Sequence, residues 1–104
     1  GEPMAHFVVT AVRINDDDEI ELFMWAKTDP SVSRGRLLEK PHIASMEDII
    51  AAIRDGDVVE MTFEAGIGTV SGGKLLEGHL PSGEVTVTEE RAVPGRMISN
   101  LPRF

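Results

Sequence analysis

The residues that come nearest to a chemical signature lie in a glycine-rich stretch, 66–83 (GIGTVSGGKLLEGHLPSG). Gly68, Gly73 and Lys74 satisfy the spacing G-x-x-x-x-G-K of a phosphate-cradling loop, in which backbone N–H groups and a lysine surround the phosphate. The pattern then departs from what that chemistry needs. Leu75 stands where a serine or threonine would hold magnesium, and Gly78 and Pro81 interrupt any helix that would follow. Nucleotide binding is therefore not expected. The stretch reads instead as a flexible connection between strands, with a tight turn at Ser71-Gly72-Gly73 and an extra short strand near 69–76. With Ser71, Lys74 and His79 it is also the best place for a lid over a small ligand.

Other constellations fall short of a site. The acidic turn Asp16-Asp17-Asp18-Glu19 invites a calcium reading, but an EF-hand loop starting at Asp16 would place Glu21 where glycine is required. It reads as a solvated hairpin tip. His6, His42 and His79 form no H-x-x-x-H pair and read as surface residues rather than zinc ligands. Arg34, Arg36 and Lys40 make one basic cluster, and Arg91, Arg96 and Arg103 of the tail make another. Such groups could clasp an anion, although they more often pair with nearby carboxylates. There is no G-x-S-x-G elbow, and Glu89-Glu90 would point to opposite faces of a strand. No catalytic residue, metal ligand or cofactor is assigned.

The elements that must position these groups are clearer. Segment 6–14 (HFVVTAVRI) reads as an interior strand with Phe7, Val9 and Ala11 on one face and Val8, Val12 and Ile14 on the other. After the polar turn it returns as 20–26 (IELFMWA), with Phe23 and Trp25 on the face opposite Ile20, Leu22, Met24 and Ala26. A loop over 28–42 follows, anchored by Leu37 and Leu38. In 45–63 (SMEDIIAAIRDGDVVEMTF), Ser45 and Asp48 form a capping box, and Met46, Ile49, Ile50 and Ile53 share a helical face. Gly56 ends the helix, and Val59, Met61 and Phe63 then alternate with polar residues as a strand. Val85 and Val87 mark a last strand, and the tail with Pro94, Gly95 and Pro102 is expected to be irregular. The expected fold is α+β in the order β-β-α-β-β, a mainly antiparallel sheet with one short helix on one face. The domain spans 4–104. Gly1-Glu2-Pro3 ahead of Met4 read as a cloning remnant.

One short helix covers one face, so Phe23 and Trp25 are expected to be covered by the glycine-rich segment or by a second copy of the chain, which predicts a homodimer. The 104 residues carry a net charge of −8, which disfavours nucleic acid and anionic membranes as partners. The chain has no cysteine, and no apolar run approaches the roughly 20 residues that span a bilayer. A cytoplasmic protein without a signal peptide is expected.

Three segments carry a family resemblance: Val9-Thr10-Ala11-Val12-Arg13, the capped helix region 43–56, and the ending Ser99-Asn100-Leu101-Pro102-Arg103-Phe104. The chain resembles small bacterial proteins of unknown function that open with an ITxVR-like strand and finish near NLxxLPxF. The resemblance implies a cytosolic protein without an assigned activity and supplies no catalytic residues. It implies structural roles for Arg13 and the tail, with Leu101 and Phe104 packed back on the sheet.

Two function classes follow. The first is a non-enzymatic interaction module that binds a protein partner or a small ligand. The second is a small enzyme or ligand-binding domain with a pocket between the glycine-rich segment and the sheet, for which Lys74, His79, His42 and Arg13 are the candidate polar groups.

Overall fold

The computed structural model describes residues 4–29, 36–66 and 68–104. Residues 1–3, 30–35 and 67, Arg34 among them, lie outside the described residues. The strands are β1 (His6–Ile14), β2 (Ile20–Asp29), β3 (Arg36–Leu37), β4 (His42–Ser45), β5 (Val58–Ala65), β6 (Gly68–His79) and β7 (Val85–Glu89). Among the described residues a single α-helix, α1 (Met46–Arg54), lies between β4 and β5, and a 3₁₀ turn spans Ile98–Asn100. The fold is α+β and mostly sheet. The order of elements is fuller than expected, with two short strands before the helix and three strands after it.

The sheet runs β3-β2-β1-β5-β6-β7, and β4 pairs with β2 on the same edge as β3. It is mixed: its other strand pairings are antiparallel, as expected for most of the sheet, but at its centre β1 and β5 run parallel from His6↔Val58 to Val9↔Met61. The chain makes this possible by crossing over through β4 and α1 before it re-enters the sheet. Asp57 fixes the start of the pair: its Oδ1 accepts from the Ala5 N–H at 3.1 Å, while Val58 N–H donates to Ala5 O at 3.0 Å.

Helix α1 forms where its two end signals place it. Asp48 N–H donates to Ser45 Oγ at 3.1 Å, and Ser45 N–H donates to Asp48 Oδ2 at 3.0 Å. This capping box satisfies two groups that a helix start leaves without partners. Gly56 adopts φ +88° just beyond the helix, a left-handed conformation that glycine enters without a Cβ penalty. Ile43, inside the segment expected to be helical, lies instead in β4 and is 57% exposed.

A bulge decides which face of β1 meets the helix. Val9 pairs with Trp25, Ala11 with Met24 and Val12 with Phe23, so Thr10 is an extra residue with no partner. One inserted residue reverses the alternation beyond it. Phe7, Val9 and Val12 are consequently all buried in the core, whereas simple alternation places Val12 with Val8. Phe23 and Trp25 share that face and are 0% and 7% exposed. The expectation that the helix lies on the other face is thus corrected: Ile49 and Ile50 of α1, with Leu75 of the glycine-rich segment, belong to the same buried cluster as Phe23 and Trp25, so these two are covered within one chain without a second copy. Trp25 also stacks on Phe7 with ring centroids 4.0 Å apart.

The tail is ordered by the sheet. Val12 N–H donates to Pro102 O at 2.9 Å and Phe104 N–H donates to Val12 O at 3.2 Å, a parallel bridge beside β1. Ile98 and Leu101 enter the core, and Glu89 holds the Ile98 N–H at 2.7 Å. Leu37 and Leu38, by contrast, are exposed. Their segment is held through main-chain bonds to β2, including Leu38 N–H to Lys27 O at 2.8 Å.

Candidate functional site

The glycine-rich stretch is strand for most of its length, not a flexible connection. Segment 68–79 pairs with β5 on one side and β7 on the other. The expected turn at Ser71-Gly72-Gly73 is a bulge: Thr62 pairs with Ser71 and Met61 with Gly73, leaving Gly72 unpaired. Gly73 has φ +94°, and its N–H donates to Ser71 Oγ at 3.1 Å. Only glycine fits at 72, because a Cβ there would lie 2.4 Å from the Phe63 ring and 2.9 Å from Met61 Cβ. The bulge thus buries Gly72 against Phe63 and Met61 and leaves Gly73, half-buried with open space where a Cβ would stand, beside Lys74.

Next to it is a hollow of about 220 Å³ lined by the bulge, Lys74, Arg91, Arg96, Val93 and Glu90. A turn closes its rim, since Arg96 N–H donates to Val93 O at 2.9 Å around Pro94-Gly95. Gly95 has φ +84°, as a proline–glycine turn requires. Lys74, Arg91 and Arg96 have no hydrogen-bond or ion-pair partner for their side chains among the described residues. Three other arginines are engaged. Arg54 forks onto Glu77 at 2.7 and 2.8 Å, Arg13 donates to Phe104 O, and Arg103 donates to the carbonyls of Leu101 and Ser99. Three cations and one carboxylate around a small concavity leave it locally positive on a chain of net charge −8.

Behind the bulge, Glu60 links two further polar groups. Its Oε1 accepts from His6 Nε2 at 3.1 Å and its Oε2 accepts from Ser71 Oγ at 3.2 Å. Glu60 is also the cross-strand partner of Lys74. The carboxylate sits between histidine and serine, so it orients the serine hydroxyl through which the bulge is held. This order is not that of a nucleophile–base relay, in which the imidazole must touch the hydroxyl.

The four polar groups proposed for one pocket do not meet. Lys74 and His79 are five residues apart on β6, about 17 Å at strand rise, and their side chains take opposite faces. His42 is on β4, four strand steps from β6, which is about 19 Å across the sheet. There it pairs with Glu39 and packs edge-on to Trp25. Arg13 is committed to the tail, with its guanidinium 5.2 Å from the centre of the Phe104 ring. Lys74 alone of the four lines the hollow. Arg91 and Arg96 stood in the sequence as a basic cluster with Arg103, which the structure sends elsewhere; the Pro94-Gly95 turn between them was the signal that the first two could converge beside Lys74. His6 and Glu60 carried no sequence signal, because their approach depends on the parallel pairing of β1 with β5.

The acidic hairpin tip is organised by Asn15, whose Oδ1 accepts from the Asp17 and Glu19 N–H groups at 2.9 and 3.0 Å. Among the described residues no three His, Asp or Glu side chains gather as a metal-binding group. No described helix is long and apolar enough to cross a membrane.

Fold and hollow together define an α+β domain with a small basic concavity at a strand bulge. Comparison with family models, with curated proteins and with solved structures gives no match to this chain.

Proposed function

We propose that this chain is a non-enzymatic binding module that holds a compact anionic group, a phosphate or a carboxylate, in the hollow beside Gly72. The observation that carries the reading is the convergence of Lys74, Arg91 and Arg96, without carboxylate partners among the described residues, on a chain rich in carboxylates. Charge-assisted donors of this kind bind oxyanions more strongly than neutral ones. Gly73, with no side chain and open space where a Cβ would stand, lets the anion approach closely. The net charge argues against nucleic acid and anionic membranes as partners, and a cytoplasmic, self-associating protein remains part of the proposal. The resemblance to small bacterial proteins of unknown function belongs to the same proposal, and the packing of Leu101 and of Arg13 on Phe104 supports the structural roles it implies.

A second reading is a small enzyme with its pocket at the same bulge. Its support is the His6–Glu60–Ser71 chain, which sets titratable groups beside Lys74. The two readings part at His6→Ala: anion binding survives this change, whereas turnover of a substrate would not.

The test is an amide NMR titration with sodium phosphate against sodium chloride at matched ionic strength. Phosphate should shift the Gly72, Gly73 and Arg96 amides. Replacing Lys74, Arg91 or Arg96 by glutamine should weaken binding about tenfold for each charge-assisted hydrogen bond removed. Equal shifts with chloride, or unchanged phosphate binding after all three replacements, would remove the proposal.

A further inference from the structure

A second concavity shares no lining residue with the first and has the opposite charge. Helix α1 and strand β7 bound a groove of about 640 Å³, continuous with a hollow of about 330 Å³ that reaches the β1–β2 hairpin tip. The two share Met46, Glu84 and Val85. The apolar surface of the combined groove comes chiefly from Ile20, Met46, Ala51, Leu80 and Val85, and Val85 is 37% exposed although it is a strand residue. Five carboxylates stand around it: Glu47 and Asp55 on the helix side, Glu84 just before β7, and Asp18 and Glu19 at the hairpin end. Arg54 is the one cation among the lining residues, and both of its bonds go to Glu77.

We infer that this groove docks a segment of a partner protein in which lysine or arginine alternates with large apolar side chains. The charge pattern selects the occupant. A second copy of this chain would bring a further −8 to a rim that is already acidic. A neutral apolar segment would leave five carboxylates partly desolvated with nothing to pair them. A basic amphipathic segment supplies both the apolar anchors for Met46, Leu80 and Val85 and the cations for the rim. Strand β7 adds a further means of attachment, because it pairs only with β6 among the described residues and its other edge is open. The inference does not rest on the anion hollow, which uses a different set of residues.

Fluorescence anisotropy with two labelled 12-residue peptides tests it: one alternating lysine and leucine, the other with glutamate in place of lysine. Binding by the lysine peptide alone is expected. Glu84→Lys, Asp55→Lys and Val85→Asp should each weaken it about tenfold. Glu64→Lys, an equal charge change on an exposed residue outside the groove, should leave it within about twofold. Urea midpoints of the variants separate lost binding from lost folding, and Glu84→Lys, in an exposed turn, keeps the test open if Val85→Asp fails to fold. Equal weakening by Glu64→Lys would reduce the effect to overall charge and overturn the inference. Equal binding of the glutamate peptide, indifference to all groove variants, or a dimer that buries the groove in sedimentation would overturn it as well.

Discussion

Replacing Gly72 by alanine should destabilise the protein by an amount that the bulge geometry sets. The new methyl would meet the Phe63 ring at 2.4 Å and Met61 Cβ at 2.9 Å. Ordinary carbon contacts begin near 3.5 Å, so the overlap is about 1 Å with the ring. Phe63 is half-buried and can swing, but Met61 is wholly buried and its Cβ moves only with the backbone. Overpacking of this kind costs about 1–3 kcal/mol, offset by about 0.4–1 kcal/mol from the reduced freedom of the unfolded chain. A net loss of about 1–2 kcal/mol should lower Tm by about 8 °C in a domain of this size. Trp25 is the only tryptophan, buried and stacked on Phe7, so its fluorescence reports urea unfolding directly. Gly73→Ala serves as the comparison, because its Cβ would meet nothing within 4 Å and any cost comes from φ +94° alone. Phe63→Leu should relieve the Gly72→Ala strain by at least about 0.5 kcal/mol in a double-mutant cycle and leave Gly73→Ala unrelieved. Stability of Gly72→Ala within about 0.5 kcal/mol of the parent, or no coupling to Phe63, would refute the close packing on which this reasoning depends.

Two further outcomes follow from the packing of the tail and from the Arg54–Glu77 ion pair. Leu101→Ala should cost about 2–4 kcal/mol in urea unfolding, because a nearly fully buried leucine leaves a cavity where the tail closes the core; a change within about 0.5 kcal/mol would mean the tail is dispensable. Arg54 holds the Glu77 carboxyl below its ordinary range, chiefly through their hydrogen bond, while the Arg54 pKa is raised and stays positive. A carboxyl depressed in the folded state contributes stability above its unfolded pKa and loses it as pH falls through the folded value. The stability difference between the parent and Glu77→Gln should thus be present at neutral pH and shrink below about pH 4, as read from urea midpoints across pH. A difference that grows on acidification would contradict the pairing.

The readable parts of this fold were those specified by neighbours in sequence. Ser45 and Asp48 are three residues apart, and Gly56 follows the last turn, so the helix carried its own limits. The first hairpin was equally plain, with a polar turn between two apolar runs. What escaped notice depended on distant pairing. Thr10 has no residue-level mark of a bulge, and only the register of β2 against β1 assigns it that role. The parallel match of β1 to β5 is silent in either strand alone. Six glycines disguised 66–83 as a connection, yet its ladder partners on both sides make most of it a strand. The candidate site followed the same rule. Lys74 stood out by its glycine spacing, while Arg91 and Arg96 gain meaning only once β7 sits beside β6.

Strand β1 joins three segments from different parts of the chain: β2 next to it, β5 after the helix, and residues near Arg103. The last of these closes a loop of some 90 residues onto Val12, at a cost in chain entropy that rises only slowly with length. Its effect on timing is greater. During synthesis the first hairpin can form early, but the central strand stays incompletely paired until residue 103 has left the ribosome. Non-local closure of this kind places such a domain among the slower folders of its size. Until then Val12 lacks its tail partner and the core lacks Ile98 and Leu101, and this nascent chain has most need of a chaperone just before residue 103 emerges.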